Sequence, residues 1–284
     1  MLARFPAPAL VLGGVLSLQL GAGFAAHIFS QVGAGGAGLL RLAFAALLLL
    51  LSFRPRLRGR SRAELGTAAL LGLVLAGMNL VFYHAIARIP LGVAVTVEFI
   101  GPLGVAIAGS RRPLDLVWIV LAVAGILAFA HGGGHINALG LALAAIAGLL
   151  WAAYILVQAR LGQASEGGSA LALSLLVAAL VAIPDGVIEG GSQLLAPGNL
   201  AIGLVAGLLS SALPYSFELE ALRRIATGVF GVLMSLEPAA AALVGLLVLS
   251  QGLSAREMIG IVLVCAASLG TSVSGRNLAV EQPG

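Results

Sequence analysis

The segment Tyr83-His84-Ala85-Ile86-Ala87-Arg88-Ile89-Pro90-Leu91-Gly92-Val93 returns later in the chain as Leu219-Glu220-Ala221-Leu222-Arg223-Arg224-Ile225-Ala226-Thr227-Gly228-Val229. At an offset of 136 residues, Ala85 meets Ala221, Arg88 meets Arg224, Ile89 meets Ile225, Gly92 meets Gly228 and Val93 meets Val229. The register runs on without a gap to Pro102/Pro238 and Gly109/Gly245. Arginine and proline are scarce in this chain, so their matches carry most of the weight. The offset is close to half of the 284 residues, which points to two tandem units.

Composition says what the units are made of. The chain is 60% apolar and only 9% charged, with a mean hydropathy of +1.11. A water-facing surface needs roughly a quarter of its residues charged, so a soluble globule is excluded. Disordered chains are charge-rich and apolar-poor, so disorder is excluded too. The remaining solvent is lipid. Ten apolar segments are placed at about 7–28, 35–53, 65–84, 91–109, 113–131, 138–159, 169–188, 199–217, 226–248 and 256–274. In hydrocarbon only a helix satisfies its own backbone, and a barrel would show ten-residue alternation instead.

Parity then sets the architecture. Five helices per unit means that the second unit enters the membrane from the opposite side. The expected fold is an all-α membrane protein with ten transmembrane helices, arranged as two inverted five-helix repeats over 7–131 and 138–274. Such repeats enclose a central site that can face either side in turn.

All fifteen basic residues are arginine. With the amino terminus cytoplasmic, inner segments hold Arg4, Arg54, Arg56, Arg58, Arg60, Arg62, Arg111, Arg112, Arg160, Arg223, Arg224 and Arg276. Outer segments hold only Arg88 and Arg256. That asymmetry obeys the positive-inside rule and puts both termini in the cytoplasm of a multi-pass cell-membrane protein. The run from Arg54 to Arg60 reads as a topology anchor rather than a nucleic-acid patch, since basic residues fall between apolar runs. Arg4 with the stretch Leu10–Leu20 resembles a secretory signal, but reads as an uncleaved first span because further spans follow at once. The single cysteine, Cys265, allows no internal disulfide and reads as a small buried apolar residue.

Charge inside a span costs roughly 2.5–3.5 kcal/mol or more, so retained charges are functional candidates. Three lie well inside their runs: Arg41, Glu98 and Glu237. A packing ion pair is the bland reading; lining a polar cavity is the stronger one. In the repeat frame Glu98 aligns with Met234, and Gly101 with Glu237. The acids thus stand three residues apart, near one helical face and toward the repeat interface. Pro102 and Pro238 lack the N–H that the carbonyls of Glu98 and Met234 would accept, so matching kinks are expected. Asn79, Tyr83 and Tyr215 complete the substrate-binding candidates, with Asn79 also suited to bridging helices. His27, His84, Trp151, Tyr154, Gln158 and Ser216 are weaker. Aromatic residues near span ends usually anchor at the interface. Gly203 and Gly207 form a GxxxG, a close-packing signal of low specificity.

The stretches FYHAIARIPLGVAVTVEFIGPL (82–103) and LPYSFELEALRRIATGVFGVLMSLEPAAAALVG (213–245) resemble the signature regions of EamA-type permeases of the drug/metabolite transporter superfamily. The chain is most similar to the threonine/homoserine exporter-like branch. The resemblance implies ten helices in inverted repeats and proton-driven efflux of small metabolites such as amino acids. Many members carry Leu-Gly-Glu before a unit's final helix, where this chain has Leu249-Ser250-Gln251.

Enzymatic signatures are missing: there is no HExxH, no GxSxG and no Walker A, and without lysine there is no Schiff-base chemistry. His131 and His135 are two ligands and do not make a metal site. No cofactor is expected; the partners are a small-molecule substrate, the lipid bilayer and protons, and no nucleic acid. The leading reading is a secondary transporter in which Arg41 meets a substrate carboxylate while Glu98 or Glu237 meets an ammonium group or a proton. A membrane-embedded enzyme on lipid-linked substrates, or a non-transporting sensor, stays open as an alternative. The orientation has a direct test. Fluorescent protein fused after the last helix should be bright, and alkaline phosphatase fused after Arg88 active; the opposite pattern refutes it.

Overall fold

The computed structural model describes residues 5–55, 61–108, 115–130, 137–162, 167–222, 224–225 and 227–280. Arg4, Arg56, Arg58, Arg60, Gly109, Arg111, Arg112, His131, His135 and Arg223, named above, lie outside the described residues. Helices run in the order α1 (Ala7–Ala26), α2 (Phe29–Phe53), α3 (Arg62–Ile86), α4 (Leu91–Glu98), α5 (Ile100–Ala108), α6 (Asp115–Ala130) and α7 (Ala138–Gly162). They continue as α8 (Gly167–Gly190), α9 (Pro197–Gly207), α10 (Leu213–Leu222), α11 (Thr227–Met234), α12 (Glu237–Leu249) and α13 (Ala255–Val280). Among the described residues there is no strand.

By length and composition, six stretches are clearly able to cross a membrane: Ala7–Ala26, Phe29–Phe53, Arg62–Ile86, Ala138–Val157, Gly168–Leu195 and Val229–Leu249. Leu91–Val105, Leu116–Ala128 and Pro197–Ala212 are shorter apolar helices. Large apolar side chains crowd the outside, with Leu116 65%, Leu149 71%, Ile188 83% and Leu247 71% exposed. Water would not tolerate so much apolar surface; lipid does. This is a multi-pass membrane protein.

Local chemistry fixes the helix ends. Ser61 opens α3 with a capping box: Glu64 N–H donates to Ser61 Oγ at 3.1 Å and Ser61 N–H to Glu64 Oε2 at 2.8 Å. Ser254 and Glu257 repeat that reciprocal arrangement before α13. Proline stands ahead of α1 and α4, and at the first position of α9, where no N–H is needed.

Several expected single spans are interrupted. The segment read as 91–109 is two helices meeting at Phe99, and the one read as 226–248 breaks at Ser235-Leu236. Each break precedes a proline by a few residues. The Pro102 and Pro238 rings crowd the carbonyls four positions back and remove their donors, so the helix opens there. The segment read as 199–217 contains a π-helical stretch at Leu208–Ala212 between α9 and α10. Within α2, Gly33 at φ 69° breaks the helix, a conformation that a side chain would strain.

Packing brings sequence-distant helices together. The α2 helix lies on α8 and α9, α3 on α7 and α8, and α6 on α13. The α1 helix packs on α9, the π-helical stretch, α10 and α12, while α4 packs on α7 and α12. Small residues permit the closest approaches. A Cβ on Gly101 would stand 1.9 Å from the Gly148 carbonyl oxygen, and one on Gly148 2.6 Å from that of Glu98. The carbonyl freed by Pro102 is therefore covered by α7 backbone. On α9, a Cβ at Gly207 would stand 2.9 Å from the Ala45 nitrogen, so the GxxxG seats this helix on α2.

Gln251, the last residue of Leu249-Ser250-Gln251, has a capping task. Its Oε1 accepts from Leu91 N–H at 2.9 Å and so caps α4 from the α12–α13 loop. Gln251→Ala should lower stability by about 1 kcal/mol, the usual worth of a cap, while Gln251→Glu keeps the acceptor. Thermal melting in detergent checks both; an unchanged Tm for the alanine variant refutes the capping role.

Candidate functional site

One cavity with about 80 Å³ of space lies where α1, α2, α3, α4, α7, α12 and the π-helical stretch converge. That is room for several water molecules. Its wall includes Gln19 from α1, Arg41 from α2, Asn79 and Tyr83 from α3, Glu98 from α4 and Glu237 from α12. Leu18, Ala22, Met78, Phe82, Val95, Trp151 and Ser210 supply the rest. Five of the six substrate-binding candidates are thus brought together. The sixth, Tyr215, falls in α10, and its side chain lies outside the described residues, as do those of Gln158 and Ser216.

The ionic groups stand at helix breaks. Glu98 is the last residue of α4 and Glu237 the first of α12, and they are only 7% and 2% exposed. A helix amino terminus favours a negative charge and a carboxyl terminus disfavours it. The two carboxyls therefore sit in opposite backbone fields, although they share a cavity. Gln19 adds to the difference by donating from Nε2 to Glu237 Oε1 at 3.1 Å across α1 and α12.

Arg41 carries its charge over the Tyr83 ring, with Cζ 5.7 Å from the centroid. Cation–π attraction of this kind is worth about 2 kcal/mol when desolvated. Arg41 Nε and the Tyr83 hydroxyl are buried with no hydrogen-bond partner among the described residues. Buried donors left unmet cost about 1–3 kcal/mol each, so they favour an acceptor brought by a ligand or by water. Tyr83 is held by Phe29 and Phe82, at ring separations of 5.8 and 6.3 Å. Trp151 lines the cavity and packs edge-on to Phe99 at 5.6 Å.

One expectation needs adjusting. Asn79 does not bridge helices through its amide N–H: Nδ2 donates to Leu75 O at 2.8 Å, one turn back in α3. Its own helix satisfies the donor. His27 is exposed at the end of α1 and its Nδ1 lies 3.0 Å from Gly23 O, as befits a solvated histidine. Sequence reasoning also passed over Gln19 and Ser210. Ser210 stands on the π-helical stretch, where Ser17 Oγ donates to Leu209 O at 2.7 Å and Gly21 lets α1 come close. An uncharged Gln in an apolar run gives a weaker signal than a charge, yet burial in lipid demands a partner for it equally.

A half-buried arginine and two buried carboxyls around one cavity, carried on interrupted helices and jacketed in apolar side chains, define a membrane transporter. The EamA-like transporter family matches over residues 138–273. The threonine/homoserine exporter RhtA of Escherichia coli strain K12 is 42% identical over 271 residues, which span 94% of this chain and 91% of that one. RhtA of Salmonella typhimurium strain LT2 is also 42% identical, over 264 residues, 92% of this chain and 89% of that one. A crystal structure of a protein 16% identical to this chain aligns with a TM-score of 0.64, covering 95% of this chain and 98% of that one, and shows the fold alone. The chain belongs to the EamA-like transporter family and is a permease, not an enzyme.

The Gln19–Glu237 contact yields a prediction. Gln19→Leu leaves a buried carboxylate short of one donor, at a cost of about 1–3 kcal/mol. Thermal melting should show a lowered Tm, and Gln19→Asn should not restore it because the shorter amide cannot reach. An unaltered Tm in the leucine variant would show that the bond contributes nothing.

Proposed function

We propose that this permease exports small zwitterionic amino acids of the threonine/homoserine kind from the cytoplasm, in exchange for protons. The observation that carries the reading is the single cavity that holds Arg41, Glu98 and Glu237 together. A zwitterion needs a cation for its carboxylate and an anion for its ammonium group. Arg41 Nε and the Tyr83 hydroxyl provide donors of the first kind. Glu237, held by Gln19 at a helix amino terminus, provides the second. Glu98, at the carboxyl end of α4, is the group assigned to proton exchange. The RhtA relatives, exporters of threonine and homoserine by name, support the substrate class.

The ten-helix, inverted-repeat arrangement belongs to the same proposal, with units over 7–131 and 138–274. Three spans are then composite: α4 with α5, α9 with α10, and α11 with α12 each form one span, and α1 to α3 pair in order with α7 to α9. Packing supports this because it is reciprocal. Corresponding helices meet in α2 on α8, α4 on α12 and α6 on α13, and the contact of α3 with α7 has its mirror in α9 and α10 with α1. The breaks at Phe99 and at Ser235-Leu236 fall at matching positions in the 136-residue offset. With both termini cytoplasmic, rocking of one bundle against the other would open the cavity to each side in turn.

Proteoliposomes test the function. Labelled threonine and homoserine should be moved by the purified protein, faster with a pH gradient than without. Arg41→Ala and Glu237→Gln each remove a charged hydrogen bond worth about 1.5–3 kcal/mol, so KM should rise about 10- to 100-fold. Glu98→Gln should abolish acceleration by the gradient while leaving downhill exchange. Binding without flux in the unmodified protein would identify a sensor instead, and undiminished gradient-driven transport in Glu98→Gln would take the proton from Glu98.

A further inference from the structure

A second polar cluster lies at the end of the bundle where α3 and α8 finish and α2 begins. His84 Nε2 stands 3.1 Å from Asp185 Oδ2, and its Nδ1 4.0 Å from Glu189 Oε1. His84, Asp185 and Glu189 each offer one ligand atom, and those atoms all lie within 4.8 Å of one another. Neither acid is among the residues that line the central cavity.

The geometry points to a site for a single divalent transition-metal ion of the zinc class, held by His84 from α3 and by Asp185 and Glu189 from α8. One imidazole with two carboxylates is a donor set that such ions take, with an open position left for water. Bonds of ~2.0–2.2 Å to one ion in a tetrahedral arrangement place its ligand atoms about 3.4 Å apart, so the three groups must draw in by about an ångström or more. All three side chains are partly exposed, at 23%, 36% and 33%, which leaves them free to make that rotation.

The surroundings favour a cation in three ways. Asp185 and Glu189 lie one turn apart on α8, where two like charges repel; an ion between them reverses that repulsion. Glu189 is oriented from behind, because Gly35 N–H donates to its Oε2 at 2.7 Å and turns Oε1 toward the histidine. Outer contacts of this sort aim the ligands of a metal site. The start of α2 is also shaped around the acids: a Cβ on Gly33 would stand 2.3 Å from Glu189 Oε2, and one on Gly35 2.4 Å from Asp185 Oδ2. The neighbouring base, Arg88, donates to the His84 carbonyl oxygen at 2.7 Å instead of to either acid.

Occupancy would tie α2, α3 and α8 together one residue from Tyr83, on the cavity wall.

Cobalt(II) titration of the purified full-length protein in detergent, followed by visible absorption and calorimetry, tests the site without depending on transport. One equivalent should bind, with the spectrum of a protein-bound ion, and be displaced by zinc(II). His84→Gln and Asp185→Asn should weaken binding by more than the ~10–100-fold that loss of an outer partner costs. Melting of the unmodified protein gives a reading free of any folding defect: zinc(II) should raise Tm and magnesium(II) should not. Absence of stoichiometric cobalt binding, equal binding in both variants, or no zinc-specific shift in Tm would each overturn the site and leave an ion pair only.

Discussion

Charge in hydrocarbon must be surrounded by polar partners or by a wet space, and this one requirement organises the molecule. Arg41, Glu98 and Glu237 come from three helices far apart in sequence, yet their side chains line a single cavity. Sending any of them to lipid would cost several kcal/mol, a large fraction of a domain's net stability. Packing of α1 against α12, of α4 against α12 and of α4 against α7 follows from that gathering as much as from apolar contact. Apolar packing alone gives little direction in a membrane, because a lipid tail is as good a neighbour as leucine.

What makes the gathering possible is small size at the crossings. Gly101 and Gly148 let α7 backbone cover the carbonyl that Pro102 sets free, while Gly21 makes room for Ser210. Glycine is costly within an ordinary helix, and here its missing side chain permits approach that no Cβ would allow. The interruptions have a similar double role. A helix that ends in mid-membrane exposes polar backbone, and proline makes it end at a chosen residue. Glu98 finishes one helix and Glu237 starts another, so two like acids experience different fields. That difference is a physical basis for giving them different tasks.

Much of this was legible in the chain. Apolar runs gave a helical, membrane-embedded chain, and the prolines gave the neighbourhood of both breaks. The three charges at Arg41, Glu98 and Glu237 stood out because nothing else in their runs is polar at that strength. Gln19, Ser210 and Trp151 were harder to find, since an amide, a hydroxyl or an indole in an apolar stretch has several bland explanations. Tyr83 and Asn79 were noticed, but their settings were not: Asn79 turned out to bond within its own helix. Asp185 and Glu189 gave no signal near the end of their span, because their partners lie 101 and 154 positions away in sequence.

Sequence alone determined that this chain lives in lipid and that it is helical. Those properties follow from composition and from spacing, which act locally along the backbone and need no knowledge of neighbours. Tertiary structure alone decided which polar groups share a cavity, which carbonyl is covered, and that a histidine and two acids meet at one end. These depend on how close two helices can come, and that distance is set by facing residues on separate segments.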